Sequence, residues 1–166
     1  MPQRKKNEKL VKKPTASAGS KSPSAEHSDQ LYAIEKQVGF LLRRAHQRSS
    51  AIFQELFSSS GLTPLQFSTL VKIRDEGRIS QNRLGRLTYA DPATIMGVIN
   101  RLVERQMIRK SPDPSDKRKS VLILTSKGLN LIESMELHAL DVSRKTLEPL
   151  TKSEQTTFLK LLDRLR

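Results

Sequence analysis

A mainly α-helical fold carrying one small β-hairpin is predicted by three features of this 166-residue sequence. The first is a series of helix starts: Thr63-Pro64, Ser80, Asp91-Pro92, Thr125 and Thr151 each precede apolar residues at helical spacing. The second is a pair of short runs, 108–111 and 120–124, split by the loop PDPSDKRK, which Pro112 and Pro114 hold open. The third is charge. Residues 78–119 hold ten Lys/Arg against four Asp/Glu, whereas everything after Ser28 holds twenty-three against fifteen. Most of the folded part's excess positive charge therefore lies in a helix, a turn, a second helix and a basic hairpin. That order is a winged helix-turn-helix, with long helices contributed by both ends of the chain.

Residues 1–28 are rich in Lys, Ser and Pro, with Leu10 and Val11 the only large apolar side chains after Met1. Such a stretch buries too little surface to offset the entropy of ordering it, so a disordered basic arm is expected there. Its Lys5, Lys6, Lys12 and Lys13 are either simply solvated or add nonspecific phosphate contacts. The folded domain is then 29–166. Within 31–57, Leu31, Ile34, Val38, Leu41, Leu42, Ala45, Ile52, Phe53 and Leu56 predict one long amphipathic helix, ended by Ser58 to Gly61.

Thr63 caps the second helix, with Pro64 as its first residue, Gln66 closing a capping box, and Leu62 and Phe67 placed as a hydrophobic staple. It should run to about Glu76. Ser80 caps a short third helix that turns Leu84 and Leu87 inward. Asp91 caps the fourth, whose buried stripe is Ile95, Val98, Ile99 and Leu102. After the hairpin, Thr125 starts a fifth helix with Leu129, Ile132, Met135 and Leu140, reaching about Thr146. A capping box from Thr151 to Glu154 opens the last, with Phe158, Leu159, Leu162 and Leu165. The terminal helices (31–57 and 125–166) carry more apolar surface than a winged module of about sixty residues (62–124) can cover, which predicts a homodimer.

Composition narrows the function. A formal charge of +13 and a pI near 10.3 favour a polyanionic partner. Aromatic residues are only 4% of the chain and Tyr89 is the sole one in the basic segment. Single-strand binders need several stacking rings, so double-stranded DNA is favoured. There is no run of eighteen apolar residues and no apolar signal core, so a cytoplasmic chain without membrane contact is expected. Cysteine is absent, the three histidines lack zinc-motif spacing, and no G-x-S-x-G or P-loop occurs. Neither an enzyme nor a metal or cofactor site is expected.

The candidate DNA contacts follow from helix geometry. Pro92, Ala93, Met96, Gly97 and Asn100 share the outward face of the fourth helix, flanked by Thr94 and Arg101. Met96 and Ala93 suit thymine methyls, Asn100 a base edge and Thr94 a phosphate. A mid-helix glycine costs about 1 kcal/mol relative to alanine, so Gly97 implies either close backbone approach to DNA or a crowded turn. Ser80, Asn82 and Arg86 on the third helix complete the set. In the hairpin loop, a strand-like tip puts Asp116 beside Arg118, bracing it for a narrow minor groove, with Lys117 and Lys119 on the other side for phosphates. On the first helix, Arg43 and Gln47 fall opposite the apolar stripe, His46 and Arg48 flank it, and Ser49 lies near its middle.

The stretches LTPLQFSTLVKI, SQNRLGRLTYADPATIMGVINRLVERQMI and DPSDKRKSVLILTSKG resemble the MarR family of bacterial regulators (multiple antibiotic resistance regulators), over roughly residues 31–165. The last carries the family's D-x-R wing tip and its L-T-x-x-G helix start. The resemblance implies a two-fold homodimer held by the first helix and the last two. It places the fourth helix in the major groove and the wing in the flanking minor groove of a near-palindromic operator. It also implies an effector cavity lined by the first helix near the dimer interface, for which Phe40, Arg44, His46, Arg48, Ser49, Phe53 and Phe67 are the candidates.

Two departures from the family stand out. Gln106 replaces the usual Gly where the fourth helix ends, and a left-handed cap there costs about 1 kcal/mol without Gly, so a different ending is expected. Met96 and Gly97 stand where the family often has Ser or Thr followed by Arg. The segment LLRRAHQR (41–48) looks like regulators of aromatic-acid breakdown, which suggests a small anionic aromatic acid or its coenzyme A thioester as effector. The function so implied is a ligand-responsive, sequence-specific transcriptional regulator, acting as a repressor. The competing readings are a nonspecific architectural DNA-binding protein and a winged module that meets an acidic protein partner.

Overall fold

The computed structural model describes residues 32–165. The basic arm expected at 1–28, and Leu31, lie outside the described residues. The elements run α1 (Val38–Leu56), α2 (Pro64–Glu76), α3 (Gln81–Leu87), α4 (Pro92–Glu104), β1 (Ile108–Pro112), β2 (Ser120–Leu124), α5 (Ser126–Leu147) and α6 (Lys152–Asp163). No helix among the described residues is long and apolar enough to cross a membrane.

The helix starts are made by the residues that announce them. Thr63 Oγ1 accepts from the Gln66 N–H at 3.2 Å while Gln66 Oε1 accepts from the Thr63 N–H at 3.0 Å. Thr151 and Glu154 form the same reciprocal pair at the start of α6. Each box satisfies donors that a helix start would otherwise leave open. Ser80, Asp91 and Thr125 cap α3, α4 and α5.

The first helix is shorter than its apolar spacing predicts. Gln37 is extended (φ −77°, ψ 136°) and takes the N-cap position, so α1 begins at Val38, and Ile34–Lys36 form a separate 3-10 turn. Periodicity detects a face, and a single extended residue within it leaves no trace in that pattern. The ending of α4 also departs from expectation. Gln106 does adopt the left-handed conformation, at φ 59°. The Met107 N–H reaches back to the Leu102 carbonyl (2.9 Å) and the Gln106 N–H to that of Val103 (2.8 Å), a complete Schellman closure. Met107 and Leu102 are both buried, and that apolar contact and the two hydrogen bonds offset the strain of a side chain at a glycine position.

β1 and β2 pair antiparallel, Ile108 opposite Leu124 and Ser111 opposite Val121. Ile79, between α2 and α3, adds a bridge to Leu122 through bonds of 3.2 and 2.8 Å, so the hairpin is anchored to the helix-turn-helix. The core joins Leu70 and Ile73 of α2, Leu84 of α3, Ile95, Ile99 and Leu102 of α4, Ile108 of β1 and Ile132 of α5, all at 1% exposure or less. The expected inward residues of the helix-turn-helix are therefore where the spacing put them, Leu87 being only half-buried.

Candidate nucleic-acid interface

The start of α4 is held by its own cap. Asp91 Oδ1 accepts from the N–H groups of Ala93 (3.0 Å) and Thr94 (2.9 Å), and Oδ2 from the Thr94 hydroxyl (2.6 Å). Those donors, the Thr94 hydroxyl foremost, hold the Asp91 carboxyl below the usual carboxylate range. The Thr94 result revises its expected role. A hydroxyl has one proton, and here it points at Asp91, not outward to a phosphate.

Pro92, Ala93, Met96, Asn100 and Arg101 are exposed on the face opposite the buried stripe, Met96 by 51%. Gly97 lies half-buried among them, and a Cβ built there meets no atom within 4 Å. A crowded turn is therefore not its reason. On α3, Asn82 and Arg86 are exposed, and Ser80 is exposed while its hydroxyl oxygen accepts from the Arg83 N–H at 3.4 Å. Arg83 itself pairs with Glu76 at 2.8 Å.

The wing tip is a turn, closed by the Lys119 N–H on the Asp116 carbonyl at 2.8 Å. Asp116 Oδ1 accepts from Arg118 Nε at 3.1 Å, as the spacing predicts, and the Arg118 side chain remains 92% exposed. The guanidinium holds the Asp116 carboxyl below its ordinary range. Lys119 differs from expectation: because the tip turns and is not strand-like, its Nζ comes to 3.6 Å from Asp116 Oδ2, on the same side as Arg118. Lys117 is exposed.

The effector candidates separate into two groups. Phe53 and Phe67 join Phe57 in an aromatic cluster: Phe53 stacks on Phe57 with centroids 3.8 Å apart, and Phe67 meets Phe57 edge-on at 4.9 Å. His138 of α5 approaches Phe57 at 6.4 Å. Ser49, one turn before Phe53, is half-buried. Phe40, Arg44 and His46 lie toward the other end of α1. At a rise of ~1.5 Å per residue, Phe40 is roughly 20 Å along the helix from Phe53, so one protomer cannot close all seven around a single small acid. His46 Nε2 lies 3.4 Å from Ser50 Oγ on its own helix.

Arg48 is committed elsewhere. Its Nη2 donates to the Lys145 carbonyl at 3.0 Å and its Nε to that of Thr146 at 3.3 Å. The guanidinium thus satisfies the last carbonyls of α5, at the negative end of that helix's dipole, and is not a free cationic rim. Two further residues carry weight that local spacing did not reveal. Arg105, at the end of α4, donates to the carbonyls of Ser60 (2.6 Å) and Gly61 (2.9 Å) in the α1–α2 loop. Tyr89 sits in the turn between α3 and α4 with φ 53° and 83% exposure.

A short helix, a tight turn, a capped helix with an exposed face, and a braced basic hairpin define a winged helix-turn-helix DNA-binding module. The model of the MarR family matches residues 62–120. Over 145 residues the chain is 39% identical to the HTH-type transcriptional repressor NicR of Pseudomonas putida, spanning 87% of this chain and 92% of that one. The chain therefore belongs to the MarR family, whose members are DNA-binding transcriptional regulators. Its fold is similar to that of BpsR from Bordetella bronchiseptica, whose DNA binding is regulated by 6-hydroxynicotinic acid (TM-score 0.78, 39% identity, 82% of this chain and 97% of that one). It is also similar to a mutant MarR from Escherichia coli in complex with operator DNA (TM-score 0.72, 26% identity, 77% and 92%).

Proposed function

We propose that the protein is a homodimeric repressor that sets α4 of each copy into the major groove of a near-palindromic operator, with Arg118 of each wing in the adjacent minor groove. A small anionic, hydroxylated aromatic acid releases it. The observation that carries the reading is the pairing of a capped α4, exposed along one face, with a wing whose Asp116 holds Arg118 outward.

The dimer is supported by what one copy leaves uncovered. Val38, Leu41 and Leu42 on α1 and Leu159, Leu161 and Leu162 on α6 are exposed, and α6 has no buried residue. Apolar stripes of that extent on two terminal helices suit a second copy, which would place the two α4 helices about 34–36 Å apart, one DNA turn. The effector class is supported by the likeness to BpsR. Such a ligand releases DNA only by preferring the helix spacing that mismatches the operator.

Footprinting on DNA flanking the protein's own gene tests the reading, beside a thermal-shift series of hydroxylated pyridine and benzene carboxylates and their coenzyme A thioesters. A palindromic footprint is expected, weakened about tenfold or more by Arg118→Ala, the scale of a specific groove contact. A stabilising acid should also erase the footprint. Uniform protection along the DNA would instead make the protein an architectural coat.

A further inference from the structure

The turn that joins α3 to α4 is closed at its tightest point by a tyrosine. The Ala90 N–H bonds the Gly85 carbonyl at 3.0 Å and the Tyr89 N–H that of Arg86 at 3.3 Å, so Tyr89 must take the left-handed conformation. A β-carbon makes that conformation costly, and glycine would occupy it without strain. Among the described residues the tyrosine ring finds no partner to offset the cost. It is 83% exposed, and among the described residues it makes no ring contact or side-chain hydrogen bond. A bulky amphipathic side chain held at a strained position, in water, is one whose use lies outside the molecule.

Its surroundings indicate where. Tyr89 lines an open cleft of about 710 Å³ together with Asn82 and Arg86 of α3 and Asp91 and Pro92 at the start of α4. Asn82 and Arg86 are exposed polar and cationic groups in the same cleft as the start of α4. Tyr89 precedes the N-cap of α4, so it stands outside the part of the helix that can reach base edges. What lies beside an inserted helix start is the sugar–phosphate strand bordering the groove.

We propose that Tyr89 is a DNA-backbone contact, its hydroxyl donating to a phosphate oxygen while the ring lies over the neighbouring deoxyribose. The contact positions α4 without reading sequence. It rests on the DNA-binding role of the fold and adds a residue to it. Because the phenol is neutral, its loss releases no additional counterion and leaves the salt dependence of binding unchanged, unlike the loss of an arginine contact.

The test uses full-length protein with Tyr89→Gly and Tyr89→Phe, titrated against operator and unrelated duplex DNA at several salt concentrations, with melting temperatures measured alongside. Tyr89→Gly relieves the turn, so its melting temperature should equal or exceed that of wild type. Its affinity should fall about fivefold, the scale of one hydrogen bond, on both DNAs and with the salt slope intact. Tyr89→Phe keeps the ring and the backbone conformation, and should show most of the same loss. Wild-type affinity in either variant overturns the proposal, as does a loss confined to the operator, which would make the contact a base contact. A lowered melting temperature for Tyr89→Gly also overturns it, since the ring would then be packing within the protein. If wild type itself binds neither DNA, the DNA-binding role fails, an outcome distinct from failure of this one contact.

Discussion

Gly128 packs its α-carbon against the carbonyl of Met107, so closely that a β-carbon at 128 would collide with that oxygen and lie 3.1 Å from Leu124 Cδ1. Three chain segments meet there. The Thr125 N–H donates to the Met107 carbonyl (3.0 Å), the Thr125 hydroxyl lies within bonding distance of the Gln106 and Met107 carbonyls (2.8 and 3.0 Å), and the Gly128 N–H donates to Thr125 Oγ1 (3.1 Å). The threonine-to-glycine spacing at the start of α5 thus locks the end of α4 and the base of the wing to the helix that leads away from the DNA-binding module.

Gly128→Ala is expected to lower stability by about 1–3 kcal/mol, the cost of overpacking a closed site. The obstacle is backbone, which cannot rotate away as a side chain tip can. Urea unfolding measures it directly. A midpoint equal to wild type would show that the α4–α5 junction yields at little cost.

Gly97 makes the opposite case. No atom lies within 4 Å of a β-carbon built there, so alanine fits the free protein and should stabilise α4 by up to about 1 kcal/mol through helix propensity. If the glycine serves close approach to DNA, the added methyl stands between helix and groove, and operator affinity should fall while the melting temperature rises. Paired thermal and gel-shift measurements separate the two. A variant that is more stable and binds as tightly would leave the glycine without a role in docking.

The Asp91 cap predicts a dependence on pH. Its carboxyl is depressed in the folded protein, chiefly by the Thr94 hydroxyl, so the charged cap's contribution is fully present above the unfolded value of about 3.9. It is lost as pH falls through the lower folded value. The difference in melting temperature between wild type and Asp91→Ala should therefore be constant near neutrality and shrink in acid, below the ordinary aspartate range. Asp113, Asp116 and Glu154 are depressed in both proteins and drop out of that difference. A gap that stays constant in acid would mean the cap works mainly as a neutral hydrogen-bond acceptor.

What could be read from the sequence divides by range. Caps such as Thr63–Gln66 and Thr151–Glu154 act within four residues, and the side chains that announce them also make them. The Asp116–Arg118 pair also lies within a few residues, though a turn and not the expected strand-like alternation brings it together. Contacts set by tertiary packing were not. The Ile79–Leu122 bridge, the Arg48 bonds to the end of α5 and the approach of His138 to Phe57 join residues tens of positions apart. Gln106 shows propensity overruled by its neighbours, since the Met107 N–H reaches the Leu102 carbonyl although the left-handed residue between them is not glycine. Lys119 was misplaced because a loop without a regular repeat gives alternation nothing to act on.

Arg105 joins the two ends of the molecule's working parts. Its fork holds the Ser60 and Gly61 carbonyls just past Phe57, while its backbone closes α4. A ligand that displaces Phe57 in the aromatic cluster would therefore pull on the end of α4. Arg105→Ala should lower stability by about 1–3 kcal/mol, the worth of hydrogen bonds from a charged donor. Arg105→Lys should recover less than half of that, because one ammonium on a flexible stem cannot hold two carbonyls as a planar guanidinium does. With a stabilising aromatic acid in hand, both variants should also lose less operator affinity on ligand addition than wild type does. Urea unfolding with gel shifts at fixed ligand concentration reads both effects. Full rescue of stability by lysine, or undiminished release of DNA by the alanine variant, would show that the loop and α4 are coupled by some route other than this side chain.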